Sequence, residues 1–186
     1  MKFLNNIEEI TNHRASTKVK MRQLLRVLDD LYTYSKTEQI NTFSDMEEGA
    51  KIKHAIHELY ANFHYSYPTT DVIKMHEVLL EKLRLQFCHD QDAFFFPYTA
   101  ILQGYAAKHA MDEVEKVKEH LLTHYQQQTF AIYHAIFSGL NINPDQDLLK
   151  TYYKAVLEIE PKNEEDSKHL EAIHEIYESL IWKKQK

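Results

Sequence analysis

The sequence predicts an all-α protein, a right-handed superhelix of about four helical hairpins with an extra N-terminal helix. The 186 residues include only 3 Gly and 4 Pro, too few for the many turns of a sheet protein. Apolar residues recur at helical spacing along most of the chain. With 44% hydrophobic residues, we expect one all-helical domain over 1–186. Within it, 1–43 holds the N-terminal helix and a linker, and 44–184 holds the hairpin repeats.

The first three helices are predicted from an apolar stripe and from start signals. The stretch 17–34 places its apolar residues on one stripe. The stretch 44–65 begins with Ser44 as a plausible N-cap, and Glu47 three residues later completes a capping-box pattern. The third helix, 67–87, opens after a proline and two threonines.

Five further helices follow with short connections. Acidic residues lie in the first turns of one, as the helix dipole prefers. Pro144 is expected in the first turn of another, which stops before Pro161. The apolar run 93–98 is interpreted as a core stripe, with an aromatic groove lining as the alternative, and Pro97 is tolerated in the first turns. These helices are predicted at 90–109, 110–128, 128–142, 144–160 and 163–184.

A short pattern recurs in four of these helices. It reads Ala-Ile, then an apolar or Gly position, then Tyr or Leu, and it lies in 54–63, 99–108, 134–143 and 171–180. The alanines, Ala55, Ala100, Ala135 and Ala172, are 45, 35 and 37 residues apart. A period near 35 is typical of a repeated helical hairpin. An irregular helical bundle is the alternative interpretation.

Two of the helices also share an aromatic pattern. An aromatic residue is followed three positions later by two adjacent apolar residues, and three positions after these by an aromatic residue or Leu. The pattern lies at Tyr98, Ile101, Leu102 and Tyr105 and again at Tyr133, Ile136, Phe137 and Leu140. The stretch 152–166 ends a helix with Pro161. In these features residues 44–180 resemble the tetratricopeptide-repeat family. Val114 and Leu149 depart from it, because the family places small residues there. More weakly, the chain is similar to the peptide-sensing half of Gram-positive quorum-sensing regulators.

The resemblance implies a non-catalytic module that binds a peptide or protein segment, as a regulator or adaptor. The first helix of each hairpin would line a concave face. The polar positions expected on this face are His54, Glu58, Asn62, Thr99, Gln103, His134, Ser138, Asn141, Glu171, Glu175 and Glu178. Amide and hydroxyl groups suit an extended peptide because they both donate and accept hydrogen bonds.

Histidine pairs support an alternative, a metal-dependent helical-bundle enzyme. His120 and His124 are four residues apart and are the candidate metal ligands, although packed or solvated histidines are favoured. The spacing Glu171-x-x-His174 occurs once, whereas a di-iron bundle needs it twice. His54, His57 and His64 form another set, and Cys88 is interpreted as a buried or inert thiol. No metal, no cofactor and no catalytic residue is therefore predicted.

Charge and targeting signals suggest the partner and the location. The formal net charge is −6, so no nucleic-acid partner is expected, and the basic cluster Arg14–Arg26 is interpreted as the solvated face of a helix. We find no signal peptide and no membrane span, and a single cysteine suits a reducing compartment. The prediction is a cytoplasmic protein that binds a peptide or protein segment. A homodimer, and a dimerising structural subunit as a third function, are left open.

Overall fold

The computed structural model describes residues 2–62 and 69–182, and all regular structure in these ranges is helical. This confirms the all-α class. The described α-helices are α1 (Lys2–Asn12), α2 (Thr17–Thr37), α3 (Gly49–Ala61), α4 (Thr70–Gln86), α5 (Phe95–Ala107), α6 (Met111–His124), α7 (Thr129–Ile142), α8 (Gln146–Leu157) and α9 (Glu164–Trp182). Short 3-10 turns lie at Phe43–Asp45, Gln91–Phe94 and Gln126–Gln128. His64 lies outside the described residues.

The chain divides into two compact units, Met1–Ile101 and Leu102–Lys186. Each unit has its own buried apolar core. A single domain over 1–186, arranged as one superhelix, stays a prediction.

Helix α1 is missing from the sequence-based prediction. Its buried residues are Leu4, Ile7 and Ile10, which repeat every three residues and form one stripe. This stripe packs against α2 and α3. The described part of unit 1 therefore contains one more N-terminal helix than expected.

In unit 1, α2 and α4 lie side by side and run parallel. The His76 imidazole bonds to the Met21 carbonyl near the start of α2. Near its end, the Gln86 amide donates to the carbonyls of Ser35 and Ile40. Both helices therefore advance in the same direction along their contact, and α3 lies between them in the chain.

The start of α3 corrects the capping-box prediction. Ser44 lies in a 3-10 turn, and α3 begins only at Gly49, after Glu48 in the left-handed region with φ 60°. The turn buries Phe43 in a stack on Phe87, with ring centroids 4.5 Å apart. Ser44 and Glu47 thus match a capping box in sequence only, because burial of Phe43 fixes the backbone there.

Gly49 makes this turn possible, because a Cβ atom at residue 49 would lie 1.7 Å from the Phe43 carbonyl oxygen. We expect Gly49→Ala to lower the free energy of unfolding by at least about 2 kcal/mol, since the obstacle is backbone. Glu48→Gly is the opposite control. It relieves a positive φ and should be neutral or stabilising by up to about 1 kcal/mol. Urea unfolding curves measure both variants. Equal stability of Gly49→Ala and the wild type would contradict this account.

In unit 2, α7 packs against α6, α8 and α9. A Cβ atom at Gly139 would lie 2.5 Å from the Gln103 carbonyl oxygen, so α5 and α7 approach closely at this glycine. Helix α8 begins at Gln146, and the Asp145 carboxylate accepts hydrogen bonds from two backbone N–H groups of its first turn. Pro144 therefore precedes the N-cap and is not in the first turn, as the sequence had suggested.

The four repeat alanines differ in burial. Ala100 and Ala135 are buried, whereas Ala55 and Ala172 are half-buried. Ala100 lies in the first unit and Ala135 in the second. Burial alone does not make the four positions equivalent, so the repeat relation stays a prediction.

Candidate functional site

The residues predicted to line a concave face belong to both units. In unit 1, His54, Glu58 and Asn62 follow one another every four residues along α3 and are all exposed. The Asn62 side-chain amide donates to the Glu58 carbonyl, 2.8 Å away. Thr99 is half-buried, and its hydroxyl donates to the Phe96 carbonyl. These four residues are accessible to different degrees within unit 1.

The predicted face residues of unit 2 include one correction. Gln103 is buried, with 9% of its surface exposed, on the part of α5 that Gly139 approaches. It therefore does not present its side chain on an open surface. His134 and Ser138 are half-buried, and the exposed members are Asn141, Glu171, Glu175 and Glu178. That the remaining residues of both units form one face stays a prediction.

His134 has a partner that the sequence did not suggest. Its Nδ1 lies 3.0 Å from Nδ1 of His169, so one ring donates and the other accepts. Burial, and secondly the neighbouring His169, lower the pKa of His134. The two imidazoles are thus a packed contact between α7 and α9.

The candidate metal ligands His120 and His124 lie side by side, with ring centroids 4.4 Å apart. His124 Nδ1 bonds to the His120 carbonyl, 2.8 Å away. Within residues 2–62 and 69–182, no group of three or more His, Cys, Asp or Glu side chains is placed to hold a metal ion. The geometry of this pair therefore supplies two imidazoles and no third ligand from the described residues.

The remaining histidines and the cysteine singled out in the sequence do not form a catalytic or metal site within the described residues. His57 Nε2 bonds to the Ala93 carbonyl at 2.7 Å. The Tyr153 hydroxyl bonds to Nδ1 of His174, while Tyr153 stacks on Tyr177. Cys88 was predicted to be a buried or inert thiol; it is exposed, so it is not buried, and its inertness stays a prediction. It follows α4 in a turn at the surface, where no packing covers it.

The strongest candidate site is a groove between α2 and α4. It encloses about 530 Å³ and is lined by Leu25, Arg26, Asp29, Lys74, Met75, Val78, Leu79 and Lys82. Leu25 and Leu79 are buried and form its floor, whereas Met75 and Val78 are each 57% exposed. We call these eight residues the α2–α4 groove. A concave apolar lining with a few polar groups at its rim is typical of binding sites.

An exposed apolar stripe continues from the groove along α4. Met75, Val78 and Leu85 are three and seven residues apart, so they lie on one face of the helix. Leu85 is 60% exposed. The opposite face of α4 is also apolar, since Ile73, Leu80 and Leu83 are buried. Helix α4 is therefore apolar on a packed face and on an exposed one.

The rim of the groove is mainly positively charged. Arg26, Lys74 and Lys82 contribute cations, and Asp29 is the carboxylate among the eight lining residues. The Lys82 ammonium lies 5.7 Å from the centre of the Tyr32 ring. Such a cation–π contact holds the lysine stem over the edge of the groove.

A buried imidazole lies beneath the groove, on the inner side of α4. His76 is fully buried, and its Nδ1 accepts a hydrogen bond from the Tyr60 hydroxyl at 2.8 Å. Its Nε2–H donates to the Met21 carbonyl at 3.1 Å. Burial lowers the pKa of His76 to about 3, although the bond to Met21 acts in the opposite direction. The neutral ring therefore joins α2, α3 and α4.

Two other cavities of unit 1 lie beside α1. One encloses about 370 Å³, and its lining includes Phe3 and Tyr34, whose rings pack 5.3 Å apart. The other encloses about 630 Å³ and is lined mostly by polar side chains, among them Glu9, Gln23 and Asp30. Neither combines an open apolar lining with a rim of predominantly one charge.

The sequence of α4 contained a signal for the groove, but apolar periodicity alone did not distinguish it from the signal for the core. A helix with one apolar stripe packs on one side, whereas α4 is apolar on two sides. Met75, Val78 and Leu85 fall outside the stripe that Leu80 and Leu83 define. A search for large apolar residues on the otherwise polar face of this amphipathic helix would have identified these three.

Comparison with family models, with curated proteins and with solved structures finds no match to this chain. Among the described helices, none is long and apolar enough to cross a membrane.

The depressed pKa of His76 predicts an acid-sensitive fold. The unfolded chain takes up a proton near pH 6.5, whereas the folded chain resists it down to about pH 3. The stabilisation is complete above pH 6.5 and falls as the pH drops. Because of His76, we expect the free energy of unfolding to fall by roughly 2 kcal/mol between pH 6.5 and about pH 5.

Urea unfolding at several pH values measures this dependence in the wild type, in His76→Gln and in His54→Gln. His76→Gln should be less stable at pH 7.5 but lose less stability on acidification. His54 is exposed, so His54→Gln should keep the wild-type slope. An NMR titration of the His76 ring gives its pKa directly. A value near 6.5 would contradict the prediction.

Proposed function

We propose that this chain is a non-catalytic protein-binding module and that the α2–α4 groove receives an apolar helical segment of its partner. The observation that carries the proposal is the groove itself, where two large side chains are more than half exposed above a floor of buried leucines. Exposed apolar surface of this kind is typical of interaction sites when its members are contiguous. Covering a half-exposed Met or Val side chain gains roughly 1 kcal/mol.

The shape of the groove favours a helix as the occupant. Helices α2 and α4 run in the same direction along their contact, and each contributes a row of side chains to the channel between them. A third helix laid into such a channel inserts side chains at i, i+3, i+4 and i+7 between the two rows below it. The stripe from Met75 through Val78 to Leu85 extends over nearly three turns of α4, about 15 Å.

A helical-hairpin array resembling the tetratricopeptide repeat is part of this proposal. Its support is the packing of alternate helices, since α1 contacts α3, α2 contacts α4 and α7 contacts α9. Stacked hairpins produce this pattern because each helix meets its counterpart in the next unit. A regulatory or adaptor role in a reducing compartment such as the cytoplasm would suit the exposed thiol of Cys88.

A direct binding measurement tests the groove. The probe is a synthetic 18-residue helical peptide. It has leucines at i, i+3, i+4 and i+7, and glutamines at the positions that flank this leucine stripe. We expect it to bind the full chain and to shift NMR signals of α2 and α4. The double variant Met75→Gln/Val78→Thr should weaken binding at least about tenfold through lost apolar contact.

Leu157→Gln is the matched control, because Leu157 is 56% exposed, belongs to unit 2 and is not one of the groove-lining residues. It should bind the peptide as the wild type does. Both sets of substitutions are at exposed positions and should leave the melting temperature nearly unchanged. Signal changes outside α2 and α4, or equal affinity of wild type and double variant, would exclude the groove as the binding site.

A further inference from the structure

We infer that the partner of the α2–α4 groove is an acidic amphipathic helix, with Asp or Glu flanking its apolar stripe. This inference rests on the proposed function and adds the charge of the segment. Its basis is the composition of the rim, since the eight lining residues include three cations, Arg26, Lys74 and Lys82, and one carboxylate, Asp29. The whole chain carries a formal net charge of −6, so the cations at this groove run against the overall charge.

The cations are placed to contact both sides of a bound helix. Lys74, Val78 and Lys82 follow one another every four residues on α4, so an apolar side chain lies between two ammonium groups. Lys74 and Lys82 are separated by about 12 Å along the helix axis. Arg26 extends from α2, on the other side of the groove. An occupant with carboxylates about two turns apart on one flank, and one more on the other, meets all three.

Asp29 sets a limit on this pattern. It lies on α2 three residues after Arg26, so a carboxylate of the partner placed beside it would be repelled. The acidic residues of the partner are therefore expected towards Lys74 and Lys82 on the α4 side. The favoured segment is acidic mainly along one edge of its apolar stripe.

Other anionic occupants fit the groove less well. A membrane surface would cover the exposed Met75 and Val78, but the buried Leu25 and Leu79, which also line the groove, offer it little surface. Single-stranded nucleic acid is held by aromatic platforms, and the eight lining residues include no aromatic side chain. A peptide helix supplies both the apolar side chains for the floor and the carboxylates for the rim.

Three peptides that differ only at the flanks test the inference. All carry the same leucine stripe, with Glu, Gln or Lys at the flanking positions. At low salt the Glu peptide should bind the full chain at least about tenfold more tightly than the Lys peptide, with the Gln peptide between them. Raising the salt to about 0.5 M should bring the three affinities together.

Charge reversal in the protein provides the second arm. Lys74→Glu/Lys82→Glu should invert the preference, so that the Lys peptide binds more tightly than the Glu peptide. Lys150→Glu/Lys154→Glu is the matched control. It makes the same change in net charge at two exposed positions on α8, in the other unit. The control should keep the wild-type order of affinities. Circular dichroism melts verify folding, and Lys82→Gln alone is the milder variant if the double variant is unstable.

The outcomes separate the two proposals. If none of the three peptides binds, the groove is not a helix-binding site and the proposed function fails. If the Gln peptide binds but the Glu and Lys peptides bind equally, or the control also inverts the order, only the acidic partner is excluded. Three other occupants are tested alongside. They are phosphatidylserine vesicles, a single-stranded oligonucleotide, and a second copy of the chain, whose association is measured by sedimentation. Tighter binding of any of these than of the Glu peptide overturns the inference.

Discussion

The contact between α2 and α4 holds unit 1 together, and the buried His76 fixes how the two helices meet. A polar ring inside an apolar contact is tolerated only if both nitrogens have partners, and here the Tyr60 hydroxyl and the Met21 carbonyl supply them. Sliding α4 by one residue, about 1.5 Å, would break this geometry and leave buried polar atoms unpaired. The imidazole therefore sets the axial register that brings Leu25 and Leu79 together on the floor of the groove.

The same register determines what α4 presents to solvent. Its inner face packs against α2 and, through His76, against α3, so Met75, Val78 and Leu85 on the other face lie outside the core. Scattered single apolar residues on a surface need no explanation, but here three lie on one face of a helix and two of them line the groove. Helix α2 also exposes large apolar side chains, Val19 and Tyr34 at 43% each, but they lie 15 residues apart, with charged side chains such as Arg22 and Asp30 between them. The closely spaced exposed apolar residues Met75, Val78 and Leu85 therefore distinguish α4 from α2.

Helix class and most helix positions could be predicted from sequence, because apolar spacing reports directly which side of a helix is buried. Helix α1 has such a stripe but spans only 11 residues, near the shortest pattern that periodicity can identify. The capping box at Ser44 failed for another reason. Local preference there is overridden by the distant stacking of Phe43 on Phe87 and by the close approach at Gly49. No window of neighbouring residues contains that information.

The candidate site was harder to predict than the fold. Counting polar positions along the repeated helices selected Gln103, which is buried where α5 approaches Gly139. The groove, in contrast, combines residues of two helices that are about 50 positions apart in sequence, and only their parallel packing brings them together. The His76 contacts that set this packing join three helices, and none of them follows from a local pattern.

The net charge of the chain is a poor guide to its recognition. A total of −6 argues against a dedicated nucleic-acid binder, because such proteins need a long basic face. At the 0.15 M ionic strength of cells, however, charges interact over only about 8 Å, so a bound segment senses the rim of its groove and little of the rest of the surface. Arg26 belongs to the basic cluster that, by itself, is an ordinary solvated helix face. It becomes part of a binding site only because α4 adds Lys74 and Lys82 across an apolar floor.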